Sequence, residues 1–244
     1  MLITKNHKLA EVILHDHRLI PVVTRFEIRF GIGDKTVEEI CSERDINAGF
    51  FLEIVNAFHD KDYIPNEKLQ DYSLKLIIDF LLKSHKFYSE IKIPFIEKLI
   101  RKLSWQDKAN DNNRKLLDNF FNEYKKEFNK HTKNEETEIY PYVIDIENAF
   151  LNNNFTKEIF TKIKNNPINK YAEEHSGLDD ALLDLKNIII KYLPPPTDFT
   201  VTNKILEELF KLEKDLINHT RIENTVLIPE VLRIEKEILK QKKS

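Results

Sequence analysis

The chain has 244 residues, 41% of them hydrophobic, and a formal net charge of -3. That is enough for one large core, or for a bundle with a small appended unit. A pI near 6.3 provides no overall basic field for nucleic acid. No run approaches the roughly 20 apolar residues of a membrane helix. MLITKNHKLAEV lacks the apolar centre of a signal peptide. One cysteine, Cys41, rules out an internal disulfide framework and any multi-cysteine zinc or iron–sulfur site. The expected setting is a reducing cytoplasm. Only four glycines are present, too few for the turns of a strand-rich fold.

Residues 1–64 read as a small helical domain. LAEVILHDHRLIPVVTRF is amphipathic and expected to break near Pro21, and FGIGDKT carries a turn. Thr36 and Glu39 stand at capping-box spacing, and Asn47 is placed to cap GFFLEIVNAFHDKD. So few short helices leave little room for a core, so this unit is expected to lean on the rest of the chain or on a second copy in a homodimer. Its histidines, His7, His15, His17 and His59, form no pattern and are expected to be solvated.

The second domain is expected to span 65–244. A helix over roughly 68–103 should kink at Pro94. A second is expected over about 111–140 and a third over about 169–192, stopped by Leu193-Pro194-Pro195-Pro196. The fourth should cover about 199–228, with a last helix after Pro229. Long helices with short connections predict an all-α fold, an antiparallel four-helix bundle.

His85, His131, His175 and His219 fall one on each of these helices, at gaps of 46, 44 and 44 residues. Glu135 and Glu223 follow His131 and His219 by one turn, and a proline follows each glutamate six residues later, in HTKNEETEIYP and HTRIENTVLIP. All six fall on apolar stripes. These run Leu74, Ile78, Leu81 to His85, Tyr88 and Phe95; Phe120, Tyr124, Phe128 to His131; Tyr171, His175, Leu178, Leu182, Leu185, Ile189; and Ile205, Leu209, Leu212, Leu216 to His219 and Val226. One histidine on a stripe is ordinarily a core histidine. Two buried glutamates are costly unless a cation lies between them. Four imidazoles and two carboxylates exceed the ligand count of a structural zinc and fit two first-row ions, iron above all, with manganese or zinc as substitutes. No E-x-x-H or H-E-x-x-H occurs, which removes the ferritin-type and zinc-protease motifs.

LLKSHKFYSEIKIP, HTKNEETEIYP, AEEHSGLDDAL and NHTRIENTVLIP resemble hemerythrin-like di-iron proteins, and among them the repair-of-iron-centres family. Oxygen-carrying hemerythrins typically have a second histidine four residues on in the third helix, where this chain has Asp179. The resemblance implies a hemerythrin-like bundle with an oxo- or hydroxo-bridged di-iron centre. His85 and His131 would bind one iron, His175 and His219 the other, and Glu135 and Glu223 would bridge them. Glu127 and Glu174 correspond to carboxylates proposed to line a route to the irons, and are the candidate catalytic groups. FEIRFGIGDKTVEEICSE follows the family's N-terminal domain, except that Gly31-Ile32 stands where a Cys-Cys pair is usual. The implied role is reaction with NO, O2 or peroxide in the repair of iron–sulfur clusters, with iron–sulfur proteins as clients and neither nucleic acid nor membrane as partner. The alternative is a gas or redox sensor signalling to a separate protein.

Overall fold

The computed structural model describes residues 2–63, 72–105, 111–172 and 178–241. Among them the fold is all-α, a helical bundle, with one isolated antiparallel bridge between Lys8 and Thr36. Among the described residues no helix is long and apolar enough to cross a membrane.

The N-terminal unit comprises α1 (Leu9–His15), a 3-10 turn (His17–Leu19), α2 (Ile20–Arg25), α3 (Val37–Glu43) and α4 (Ala48–His59). The break falls at Asp16, not at Pro21. Pro21 sits in the first turn of α2, where its missing N–H costs nothing. Thr36 and Glu39 form the reciprocal capping box, and Asn47 caps α4 through the Phe50 N–H. Gly31 and Gly33 adopt φ of +92° and +63° in the turn between α2 and α3, a region that favours glycine. Cys41 is buried, and burial pushes its thiol up to about 11, so it packs as a small hydrophobe.

His59 is not solvated. Its Nδ1 lies 2.7 Å from Oδ2 of buried Asp16, which also receives two guanidinium N–H bonds from Arg18, each of 2.7 Å. Burial favours the neutral form of Asp16, but the hydrogen bonds from Arg18 and His59 override it and hold the carboxyl down at about 2, from an ordinary 3.8. A depressed carboxylate stabilises the fold above its unfolded-state pKa, and that contribution is lost as pH falls through about 2. Asp16→Asn is therefore expected to unfold at lower urea than wild type at neutral pH, with the gap closing between about pH 4 and pH 2. A constant gap across that window contradicts the assignment.

Among the described residues four helical rods follow. The first joins α5 (Leu74–Phe87) to α6 (Ile93–Ile100), the second α7 (Asp111–Asn134) to α8 (Tyr140–Leu151), and the fourth α12 (Phe199–Ile222) to α13 (Ile228–Gln241). The third is α11 (Leu178–Asn187), with α9 (Lys157–Asn165) and α10 (Ile168–Ala172) before it. Ser73 caps α5, and Glu147 of α8 reaches across to accept the Leu74 N–H at 2.6 Å.

The second and fourth rods run past their expected ends, through Pro141 and Pro229, and the first runs on through Pro94. In each, a π-turn precedes the proline: Tyr88–Lys92, Glu135–Ile139 and Glu223–Leu227. The residue before each proline donates five residues back, as Ile93 to Tyr88, Tyr140 to Glu135 and Ile228 to Glu223. A π-turn admits one extra residue, which lets the helix continue past an imino acid that would otherwise break it. The extra residue also advances the buried face. Ile96 is buried where the expected Phe95 is exposed. On α7 the stripe runs through Leu117, Phe121, Tyr124 and Phe128, with Phe120 exposed. A fourth π-turn, Ile188–Tyr192, ends the third rod, and Leu193 turns extended before the prolines as expected.

α6 packs on α7 and α12, α5 on α8, α11 on α7 and α12, and α13 on α8 and α10. Rods consecutive in the chain are therefore antiparallel, as are the first and fourth, while the second and fourth meet through their C-terminal halves. Two apolar clusters fill the interior. One unites the N-terminal unit with α5, α8 and α13, and the other lies among α6, α7, α11 and α12. A layer of buried polar side chains lies at the junction between them.

Candidate metal centre

His85 lies in the last turn of α5, and His131 and His219 lie in the last turns of α7 and α12. Glu135 and Glu223 are the first residues of their π-turns. The H-x-x-x-E-x-x-x-x-x-P frame thus has a backbone cause. The proline selects the π-turn, and the π-turn starts at the carboxylate. Such turns recur at functional sites because they re-aim side chains within a continuous helix.

His85, Glu135, His219 and Glu223 are all buried, and each offers a ligand atom within 4.8 Å of the others. His85 Nε2 is 3.1 Å from Glu135 Oε2 and 3.3 Å from His219 Nε2, and His219 Nε2 is 3.5 Å from Glu223 Oε1. His131 Nε2 lies 3.0 Å from the other oxygen of Glu135, with the ring 27% exposed. On the outer side of His85, Glu136 Oε1 sits 3.0 Å from Nδ1. That contact orients the ring with Nε2 facing inward. Burial alone would lower the His85 pKa, but the hydrogen bond and charge of Glu135, with Glu223 and Glu136, raise it.

Two buried tyrosines complete the layer: Tyr171, expected only as part of the third helix's apolar stripe, and Tyr140, which did not stand out in the sequence. Tyr140 donates to Glu223 Oε1 at 2.9 Å and lies 3.5 Å from His85 Nε2. Tyr171 donates a short hydrogen bond to Glu135 Oε1. Burial first, then the charges of Glu223 and Glu135, push both phenols above their ordinary 10. One signal was available: the two frames differ just before the proline, with Tyr140 in one and Ile228 in the other.

The donor set fits a metal. Both glutamates have side chains that are 0% exposed. The partners shown for them include the imidazoles of His85, His131 and His219 and the phenols of Tyr140 and Tyr171. Imidazole nitrogens and carboxylate oxygens converging on one point suit a first-row cation.

His175 and Glu174 lie outside the described residues. Glu127 is exposed on α7, one turn before His131 and apart from the buried layer. Of the ligands expected from sequence, the structure brings His85, Glu135, His219 and Glu223 together, with His131 on the outer oxygen of Glu135. Outside Glu135 a cleft of about 420 Å³ is lined by Thr137, Lys162, Ile168 and Tyr171, among others. Tyr171 therefore borders both the surface cleft and the layer.

The hemerythrin HHE cation binding domain matches residues 94–231. That span includes His131, Glu135, His219 and Glu223 and begins after His85, which the fold brings to the same layer. No curated protein matches the chain.

Proposed function

The chain belongs to the hemerythrin HHE cation-binding domain family, and we propose that it holds two iron ions and reacts with NO, O2 or peroxide in the repair of stress-damaged iron–sulfur clusters. The observation that carries this reading is the buried convergence of His85, Glu135, His219 and Glu223. His85 and His131 would hold one ion, His219 and His175 the other, with Glu135 and Glu223 shared between them. Manganese or zinc would fit the same donors. When bound, iron supplies one-electron chemistry and open positions for small gaseous or peroxide ligands.

The chain's own residues set the conditions for that chemistry. The apolar clusters on either side of the layer exclude water. Glu136 orients His85. Glu127 and Glu174, one turn before His131 and next to His175, are the carboxylates that would exchange protons with solvent. The sequence resemblance to the repair-of-iron-centres family supports repair, in the reducing cytoplasm, by iron supply to iron–sulfur clients or by removal of NO.

Sensing is the second reading, and one contact favours it. Arg221, two residues after His219, donates to the carbonyls of Ala57 and Lys61. A change at His219 would therefore reach the N-terminal unit, and through it a partner protein.

Protein expressed in iron-rich medium is expected to carry about two irons per chain, with near-ultraviolet and visible charge-transfer bands when oxidised. The reduced protein is expected to consume NO catalytically, or to pass iron to an apo iron–sulfur acceptor. Metal content near zero for all first-row ions contradicts the metal reading. Full loading with neither activity, together with gas-dependent hydrogen exchange in α4, favours sensing over repair.

A further inference from the structure

We infer that Tyr140 is itself a metal ligand, bound through its phenolate oxygen to the ion held by His85. This rests on the metal reading and adds a residue type that the histidine–carboxylate pattern does not contain. The Tyr140 oxygen lies 2.9 Å from Glu223 Oε1 and 3.5 Å from His85 Nε2. Adjacent ligands on a six-coordinate ion with bonds near 2.1 Å stand about 3.0 Å apart. The phenol oxygen therefore keeps near-neighbour spacing from two ligand atoms at once, and those two come from different rods.

The backbone explains why a tyrosine reaches this point. In the π-turn that opens at Glu135, Tyr140 donates its N–H to the Glu135 carbonyl. Residues five apart therefore stack on one face, and the residue before Pro141 faces inward with the carboxylate. The ring is 2% exposed and stacks on the His85 imidazole at 5.7 Å and 18°, which leaves little freedom to swing away. The matching position of the fourth rod is Ile228, so only one of the two repeated frames delivers a phenol. Both phenols meet a glutamate, Tyr140 Glu223 and Tyr171 both Glu135 and Glu223, and the contact with His85 Nε2 points to Tyr140.

Coordination breaks the Tyr140 O–H bond, forms an oxygen–iron bond, and releases one proton by way of Glu223 without changing the iron's oxidation state. Tyrosinate is an established ligand of ferric iron in haem proteins.

The test is resonance Raman of the ferric, iron-loaded protein, with iron counted in the same samples. Wild type and Tyr171→Phe are expected to show tyrosinate ring modes that shift when the protein is grown on ring-deuterated tyrosine. Tyr140→Phe is expected to lose those modes and the matching visible band while keeping its iron. Should Tyr140→Phe not fold, wild type and Tyr171→Phe still decide. Tyrosinate modes absent from iron-loaded wild type, or lost in Tyr171→Phe, overturn the assignment. Modes that persist in folded Tyr140→Phe do the same. Wild type that binds no iron at all overturns the metal reading itself, and the ligand with it.

Discussion

Glu135→Ala and Glu223→Ala are each expected to retain about a tenth or less of wild-type iron, whereas His85→Ala keeps a larger share. Each glutamate meets groups from more than one rod. Glu135 contacts His85, His131 and Tyr171, and Glu223 contacts His219 and Tyr140. Removing either weakens both ion positions, while removing His85 leaves the other position its own donors. Glu136→Ala is a graded control. It takes away only the contact at His85 Nδ1, and loss of such an outer partner typically costs 10- to 100-fold in metal affinity. Stability should change sign with loading. Burying a carboxylate charge is costly, so metal-free Glu223→Gln is expected to melt no lower than metal-free wild type. Loaded wild type gains the binding free energy of the metal, which the variant forgoes. Iron per chain and melting temperature, each measured with and without chelator, check both claims. Full iron retention in both alanine variants removes the assignment of Glu135 and Glu223 as shared ligands.

Much of this centre was legible because helical spacing is strict. Residues on one rod share a face at three- and four-residue steps, so His219, Glu223 and the run Ile205, Leu209, Leu212, Leu216 were placed on one buried stripe before any fold was known, and all are buried. The caps Thr36 and Asn47 were legible for a similar reason, since their chemistry is local. What spacing could not show is the π-turn. It inserts one residue and rotates the remainder of the rod, so Phe95 was assigned the position that Ile96 occupies, and Tyr140 passed unnoticed one position before Pro141. Pro141 and Pro229 were taken as helix ends for the same reason. Contacts that cross rods were equally out of reach. Nothing in the sequence joins Asp16 to His59, 43 positions apart, or Arg25 to Asp215, 190 apart.

Asp215→Ala is expected to destabilise the protein by about 3–5 kcal/mol, the cost typical of leaving a buried charge without its partner. The Arg25 side chain is 2% exposed and that of Asp215 11%. Arg25 Nη1 donates to Asp215 Oδ1 at 3.0 Å, a second bond runs from Nη2, and the Tyr88 hydroxyl donates to the same Oδ1 at 3.0 Å. The guanidinium also lies between 4.8 and 5.9 Å from the ring centroids of Phe58, Phe80, Phe87 and Tyr88. It is thus a cation from α2 held inside an aromatic cage built by α4 and the first rod, with its countercharge supplied by α12. Removing Asp215 strands that cation. Arg25→Met is milder, because the apolar chain suits the cage and the stranded carboxylate lies nearer solvent. The pair Arg25→Met with Asp215→Leu is expected to recover most of the loss, since an apolar replacement of a buried ion pair is often neutral. Urea unfolding of the three variants, read as shifts in midpoint at constant slope, ranks them. A loss below about 1 kcal/mol for Asp215→Ala, the range of an exposed ion pair, would mean that the aromatic cage and not the ion pair joins the N-terminal unit to the bundle. The same contact reaches the metal layer, because Tyr88 packs edge-on against the His219 ring at 5.8 Å. Asp215→Ala should therefore also weaken iron retention at neutral pH, and Arg25→Met, which leaves the Asp215–Tyr88 bond in place, should do so less.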